Sequence, residues 1–191
     1  MKEEIVSMSK NKIEKFENAT RIAELNSVET LIRAGMNDNM VICDIGAGTG
    51  VFAFPAADLT NNTVYALEIS DDMIELLEYR KNERGIENLK IRKVDSAILP
   101  IDNDICDMIL LVTVLHEIED QESLLEEIKR VLKKSGKLMI IEFHKKETPM
   151  GPPIDHRISI EYTEELCNSS SLKTTHKFDL GDNFYCILFE F

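Results

Sequence analysis

Apolar residues recur along the chain in two rhythms, which alternate from about residue 40 onward. Short, nearly unbroken apolar runs read as strands: 40–45, "TVYALEI" (63–69), "NLKIRKV" (88–94), "ICDMILLVTV" (105–114) and "KLMIIEF" (137–143). Between them the spacing turns helical. Met73, Leu76 and Leu77 form one face behind Ser70, an N-cap residue, with Asp71 and Asp72 at the positive end of the helix dipole and Gly85 as a stop. Asp120 is placed to cap a helix carrying Leu124, Leu125, Ile128, Val131 and Leu132, with Lys133 and Lys134 at its C-terminal end and Gly136 ending it. A short helix is expected over about 159–168. Strand and helix in alternation predict a parallel α/β sheet.

The end of the chain breaks the rhythm. "SLKTTHKFDLGDNFYCILFEF" holds two strand patterns joined at "DLGDN", a hairpin signal around Gly181. So short a loop forces the pair antiparallel, because parallel strands need a crossover. Five β-α units therefore end in a β-hairpin. Ahead of the first strand, Ile13 and Phe16, then Ile22 and Leu25, fall at helical spacings and predict a helical segment facing the core. Arg21 within it reads first as a solvated helix residue. The 191 residues are expected to form one domain: a helical cap over 1–39, a core over 40–145, and a loop, helix and hairpin over 146–191.

Composition narrows the partners. A net charge of −13, from 35 acidic and 22 basic residues, repels phosphate backbones and anionic membranes. Nucleic acid is therefore not the expected partner, and the sequence sets no oligomeric state. Four cysteines, at 43, 106, 167 and 186, form no C-x-x-C pair and read as buried reduced thiols rather than a metal site. The longest apolar run falls far short of a membrane span, and "MKEEIVSMSKNK" lacks a signal-peptide core, so a cytoplasmic protein is expected.

The chemistry gathers at "VICDIGAGTG". A strand running into glycines and then a helix lets a nucleotide approach the backbone closely. Gly46, Gly48 and Gly50 give G-x-G-x-G, and Val51 stands where the dinucleotide fingerprint needs its third glycine or alanine. No Gly-Lys-Ser/Thr follows, so this is no P-loop. Asp44, a carboxylate at the end of a buried strand, suits a cationic amine better than a pyrophosphate. S-adenosylmethionine carries such an ammonium group, and a nicotinamide dinucleotide does not.

This motif resembles the first motif of class I S-adenosylmethionine-dependent methyltransferases. "YALEIS", "VDSAILP", "CDMILLVTVLHEIED" and "LKKSGKLMIIEF" follow it in the family's order. The wording "DIGAGTG" and "LHEIED" is closest to the ubiquinone/menaquinone-type branch. The resemblance covers about 40–145 and implies a doubly wound, Rossmann-like, seven-stranded sheet of order 3-2-1-4-5-7-6 with an antiparallel C-terminal hairpin. It also implies cofactor contacts at Asp44, Gly46, Ala47, Gly48, Gly50, Glu68, Ile69, Asp95, Ser96 and Leu111. Glu68 would accept from the ribose hydroxyls and Asp95 from the adenine amino group. Pro55 departs from the pattern, because it would kink the helix after the loop or delay its start.

His116 and Glu117 follow the fourth strand and His144 ends the fifth, the strand ends at which open α/β sheets bind ligands. His116 and His144 are the catalytic candidates, as base or as substrate-positioning groups, although both also fit a plain turn. The loop "HKKETPMGPPIDHR" (144–157) is long for a simple connection, which suits either a lid or a surface crossover. The function implied is methyl transfer from S-adenosylmethionine, leaving S-adenosylhomocysteine, to a small-molecule acceptor. Two rivals stay open: a non-catalytic binding module that kept the cofactor motifs, and a nicotinamide-dependent oxidoreductase. The acceptor atom also stays open, although Cys43, Cys106 and Cys186 look too buried for metalloid chemistry.

Overall fold

The computed structural model describes residues 10–191, so residues 1–9 of the expected N-terminal cap lie outside the described residues. Seven strands make one sheet in the order β3-β2-β1-β4-β5-β7-β6. The sheet order and its antiparallel C-terminal hairpin are those expected. The chain divides into two compact units, Met1–Ser96 and Ala97–Phe191. No helix among the described residues is long and apolar enough to cross a membrane.

Among the described residues the first unit opens with three short helices, α1 (Lys10–Phe16), α2 (Ala19–Leu25) and α3 (Ser27–Arg33). Asn18 caps α2, its side chain accepting from the Thr20 and Arg21 amides. Asn26, left-handed at φ 35°, ends α2 and starts α3 in one residue, a conformation asparagine tolerates better than most. Leu25, Thr30 and Leu31 turn inward, while Ile22 stays exposed, so the apolar spacing there is only half used for the core. Arg21 is buried, against the expectation of a solvated helix arginine.

The strands β1 (Ile42–Ile45), β2 (Val64–Glu68) and β3 (Leu89–Lys93) follow, with α4 (Ala53–Leu59) and α5 (Asp71–Arg84) between them. β2 pairs parallel with both neighbours, Asp44 standing opposite Ala66 and Glu68 opposite Lys93. Every residue of β1 and β2 is buried, as parallel strands covered on both faces require. Met73, Leu76 and Leu77 form the buried face of α5, and Gly85 at φ 66° ends it. Ser70 holds the N-cap position but makes no side-chain cap bond; its backbone amide is turned to the Glu68 carboxylate. Pro55 is the third residue of α4, within the first turn, where amide donors have no intrahelical acceptor. The helix runs unbroken through Pro55 from Ala53, and Phe54 already bonds back to the Gly50 carbonyl.

In the second unit β4 (Cys106–Val112) and β5 (Leu132–Phe143) run parallel. The helix between them, α6 (Gln121–Val131), is capped by Asp120, which accepts from the Ser123 amide. It stops earlier than expected. Leu132 is already strand, paired with Cys106, and Lys133, Lys134 and Gly136 lie in β5 rather than at a helix end. Lys133 has a nearer partner than a helix dipole, because its ammonium binds both oxygens of Asp107 at 2.9 Å. No helix fills the segment between β3 and β4, so the third β-α unit is incomplete. Arg130 and Glu127 hold that segment's second half instead, Arg130 donating to the Leu99 and Ile101 carbonyls and Glu127 accepting from the Leu99 amide. The helix α7 (Ile160–Ser169) and the hairpin β6 (Lys173–Leu180) with β7 (Phe184–Glu190) complete the unit, β7 lying antiparallel to β5. All four cysteines are buried thiols, as expected.

Candidate active site

At the C-terminal end of β1 the backbone turns three times through positive φ, at Gly46 (73°), Gly48 (54°) and Gly50 (87°). The turn is tied to β2, since the Gly46 and Ala47 amides both donate to the Leu67 carbonyl. A Cβ on Gly50 would stand 2.4 Å from the Phe54 ring, so this position needs glycine for space as well as for φ. The Glu68 carboxylate closes the loop from the end of β2. One oxygen accepts from the Gly48 amide at 2.8 Å, and the other from the Ile69 and Ser70 amides at 2.9 and 3.0 Å.

Asp44 is buried in β1 immediately before this turn. Burial, and next the negative charge of Glu68, push its carboxyl up to about 7, against a hydrogen bond from the Ala53 backbone that favours ionisation. Two acids close together and out of water favour a cation between them, or a proton. That pair of acceptors fits a ligand carrying an ammonium or sulfonium charge together with hydroxyls. Beside it, Ile69 is 73% exposed, and Asp95 and Ser96 are exposed just past β3.

The first unit's helices reach the same loop. Phe16 lies 3.8 Å from where a Gly48 Cβ would be. Arg80 on α5 donates to the Thr49 carbonyl at 2.8 Å and pairs through both terminal nitrogens with Glu17. Burial works against the Glu17 charge, but the hydrogen bonds and charge of Arg80 outweigh it and hold the carboxyl below its ordinary range.

In the second unit, β4 is followed by Thr113, a β-branched residue held at φ 56°. That conformation costs about 1–3 kcal/mol and recurs at functional sites. It leads into a single 3-10 turn, Leu115–Glu117, which carries His116. The turn is anchored twice. Gln121 donates to the Leu115 carbonyl at 2.8 Å and in turn accepts from the Tyr162 hydroxyl at 2.7 Å. Glu142 of β5, whose side chain is 1% exposed, accepts from the His116 backbone amide at 3.2 Å and meets the ring Nδ1 at 2.7 Å. An ionised carboxylate only accepts, so the ring proton facing Glu142 is assigned to Nδ1.

His144, two residues further along, takes a different carboxylate. Its Nε2 lies 3.1 Å from Asp179 on β6, and its ring packs against Tyr185 with centroids 5.6 Å apart. The segment after it is wrapped around Arg157. That buried guanidinium donates to the carbonyls of His144, Lys146, Met150 and Pro152 and to the Thr148 hydroxyl, at 2.7–3.1 Å. Gly151 at φ 109° makes room, since a Cβ there would press on Phe143 at 2.6 Å.

The sequence-derived candidates thus fall into two sets. Asp44, Gly46, Ala47, Gly48, Gly50, Glu68 and Ile69 come together around one loop, with Asp95 and Ser96 past the end of the neighbouring strand. Leu111 is fully buried within β4, paired with Ile140. His116 and His144 belong to the second unit and lean on separate acids. Glu142, Arg80 and Arg157 were not among the candidates. A signal for Glu142 was present: one carboxylate inside "KLMIIEF", an otherwise apolar run, demands a buried partner.

A family model described as a methyltransferase domain matches residues 36–185. The chain is 29% identical over 128 residues to a ubiquinone/menaquinone biosynthesis C-methyltransferase of Bordetella avium, a match covering 66% of this chain and 50% of that one. It is 26% identical over 109 residues to an uncharacterized methyltransferase of Bacillus subtilis, covering 57% of this chain and 43% of that one. This chain therefore spans about half the length of the curated relatives it matches. Its fold matches the crystal structure of a SAM dependent methyltransferase from Aquifex aeolicus, with a TM-score of 0.88 and 23% identity, over 94% of this chain and 96% of that one.

Proposed function

Because the chain belongs to the class I S-adenosylmethionine-dependent methyltransferases, related to their ubiquinone/menaquinone branch, we propose that it transfers a methyl group from S-adenosylmethionine to a small-molecule acceptor. The observation that carries this reading is the pair of buried carboxylates, Asp44 and Glu68, around a loop of three glycines at positive φ. When bound, S-adenosylmethionine supplies an already activated methyl, so the chain has mainly to align the partners and exclude water.

In this reading Asp44 faces the ammonium group, and the Gly46–Gly50 backbone, with Ala47, lies along the cofactor. Glu68 accepts from the ribose. A carboxylate offers about four acceptor positions, and three are taken by backbone amides. Glu68 therefore has one direct bond to give rather than a clamp on both hydroxyls. Ile69 offers an apolar surface, and Asp95 and Ser96 offer polar groups to the adenine edge. The buried Arg21 is a candidate for the cofactor carboxylate. His116 acts on the acceptor and His144 assists more weakly, since its partner Asp179 is a solvated acid that holds it loosely. The four buried thiols support a reducing, cytoplasmic setting.

A calorimetric titration tests the premise. The protein should bind S-adenosylmethionine and S-adenosylhomocysteine and ignore NAD. Heat on adding NAD, with none for either sulfur ligand, would sink the proposal.

A further inference from the structure

The two acids of the glycine loop are held in different ways, and the difference decides where a proton sits in the free protein. Asp44 and Glu68 are 2% and 7% exposed, so water stabilises neither charge. Two carboxylates buried together favour keeping one proton between them. Glu68 is the poorer place for it, because three backbone amides donate to its oxygens and favour the ionised form. Asp44 accepts from the Ala53 backbone alone. The proton therefore belongs to Asp44.

The neighbouring charges agree. Both β2 and α4 pack on β1. β2 brings the charge of Glu68, while α4 brings the Ala53 amide and one acid, the exposed Asp58. Arg80 on α5 is engaged with Glu17 and the Thr49 carbonyl, and Arg84 lies over the Phe54 ring. On β4, next to β1 in the sheet order, the acid is Asp107, bound by Lys133. Arg21 on α2 is buried too, but Glu68 is the charge that acts on the Asp44 carboxyl. Burial first, and that charge second, keep Asp44 protonated up to about 7.

We propose that cofactor capture is proton-coupled: the free protein carries a proton on Asp44, and the ammonium group of S-adenosylmethionine or S-adenosylhomocysteine displaces it. This rests on the methyl-transfer reading above and adds a regulation of its cofactor site. On binding, the Asp44 O–H bond breaks, its proton passes to solvent and the carboxylate keeps the electron pair. The ligand retains its own protons, so one cation replaces another beside Glu68. Substrate and product share the ammonium group, and acidification weakens both alike. The pH then sets how much of the protein is loaded and leaves the competition between the two ligands unchanged.

Calorimetric titration in buffers of different ionisation enthalpy counts the protons released. At about pH 6, roughly one unit below the Asp44 titration, each of the two ligands should release close to one proton. Their affinities should rise by roughly tenfold per pH unit up to about 7 and then level off. 5′-Methylthioadenosine keeps the nucleoside and a thioether but lacks the amino acid, so it should bind with no proton released. Asp44→Asn should release none with any of the three. A slope that survives in Asp44→Asn places the proton on another group and overturns the proposal. Release with S-adenosylmethionine but not with S-adenosylhomocysteine also overturns it, because the sulfonium would then be the displacing charge. Should Asp44→Asn fail to fold, the parent decides alone: equal release with 5′-methylthioadenosine defeats the proposal. If neither amino-acid ligand binds at any pH, the methyl-transfer reading fails and this proposal with it. Binding of both with an affinity that is flat between about pH 5.5 and 7 defeats the proton coupling only.

Discussion

The loop after β1 and the turn after β4 each surround a buried acid with donors, but the donors differ in kind. Around the loop, Glu68 is held by three backbone amides. At the turn, Glu142 is held by one backbone amide and one imidazole. Backbone donors cannot titrate, so they fix a charge and a shape. An imidazole can take up or lose its proton, so the second arrangement can move a proton where the first cannot. In the proposed reading, binding falls to the first and chemistry to the second.

That contrast breaks most visibly at His116. His116→Ala should lower turnover by ~10²–10⁴-fold, the usual loss on removing a general base, while cofactor affinity, measured by calorimetry, stays near the parent value. If turnover survives, the turn moves no proton.

Asp44 sharpens the other side of the contrast. Its folded carboxyl titrates near 7, against 3.8 for an unperturbed group. The free protein therefore has the full benefit of this group below about pH 4, loses it progressively as pH rises toward 7, and lacks it above that. At about 1.4 kcal/mol per pH unit, Asp44→Asn should gain on the parent by roughly 4 kcal/mol between pH 4 and pH 8, read from urea unfolding. Parallel stability curves for the two proteins would mean that Asp44 is not the strained acid of the loop.

Glu68 should show the smallest effect. One hydrogen bond to a charged group contributes about 1.5–3 kcal/mol, so Glu68→Ala should weaken S-adenosylmethionine binding by that much. Because the Gly48, Ile69 and Ser70 amides lose their acceptor too, the variant should also melt earlier. Earlier melting with unchanged affinity would leave Glu68 a loop brace and remove it from the ribose.

The same contrast shows why one set of residues was legible in the sequence and the other only in part. Glycines with positive φ, caps such as Asp120 and an acid ending a strand are local requirements, visible within a few residues. The partner of His116 lies 26 positions away on another strand, and nothing local to "VLHEIED" announces it. Glu142 passed as one more letter of an apolar strand, although the reasoning that singled out Asp44 in "VICDI" applies equally to "LMIIEF". The early end of α6 has a similar cause. Lys133 and Lys134 suit a helix terminus by charge, but Asp107, on the neighbouring strand, binds Lys133 in β5. Arg21 was misjudged because burial of a long basic side chain depends on what covers it.

Arg157 carries one more consequence, for proteolysis. An enzyme that cuts after arginine must draw the guanidinium into its own specificity pocket, and here that group is sunk among four carbonyls and a hydroxyl. The bond to Ile158 is therefore hidden until all five hydrogen bonds give way. Cleavage at that bond reports local opening of the 144–157 segment, and anything that tightens the segment lengthens the survival of the intact chain.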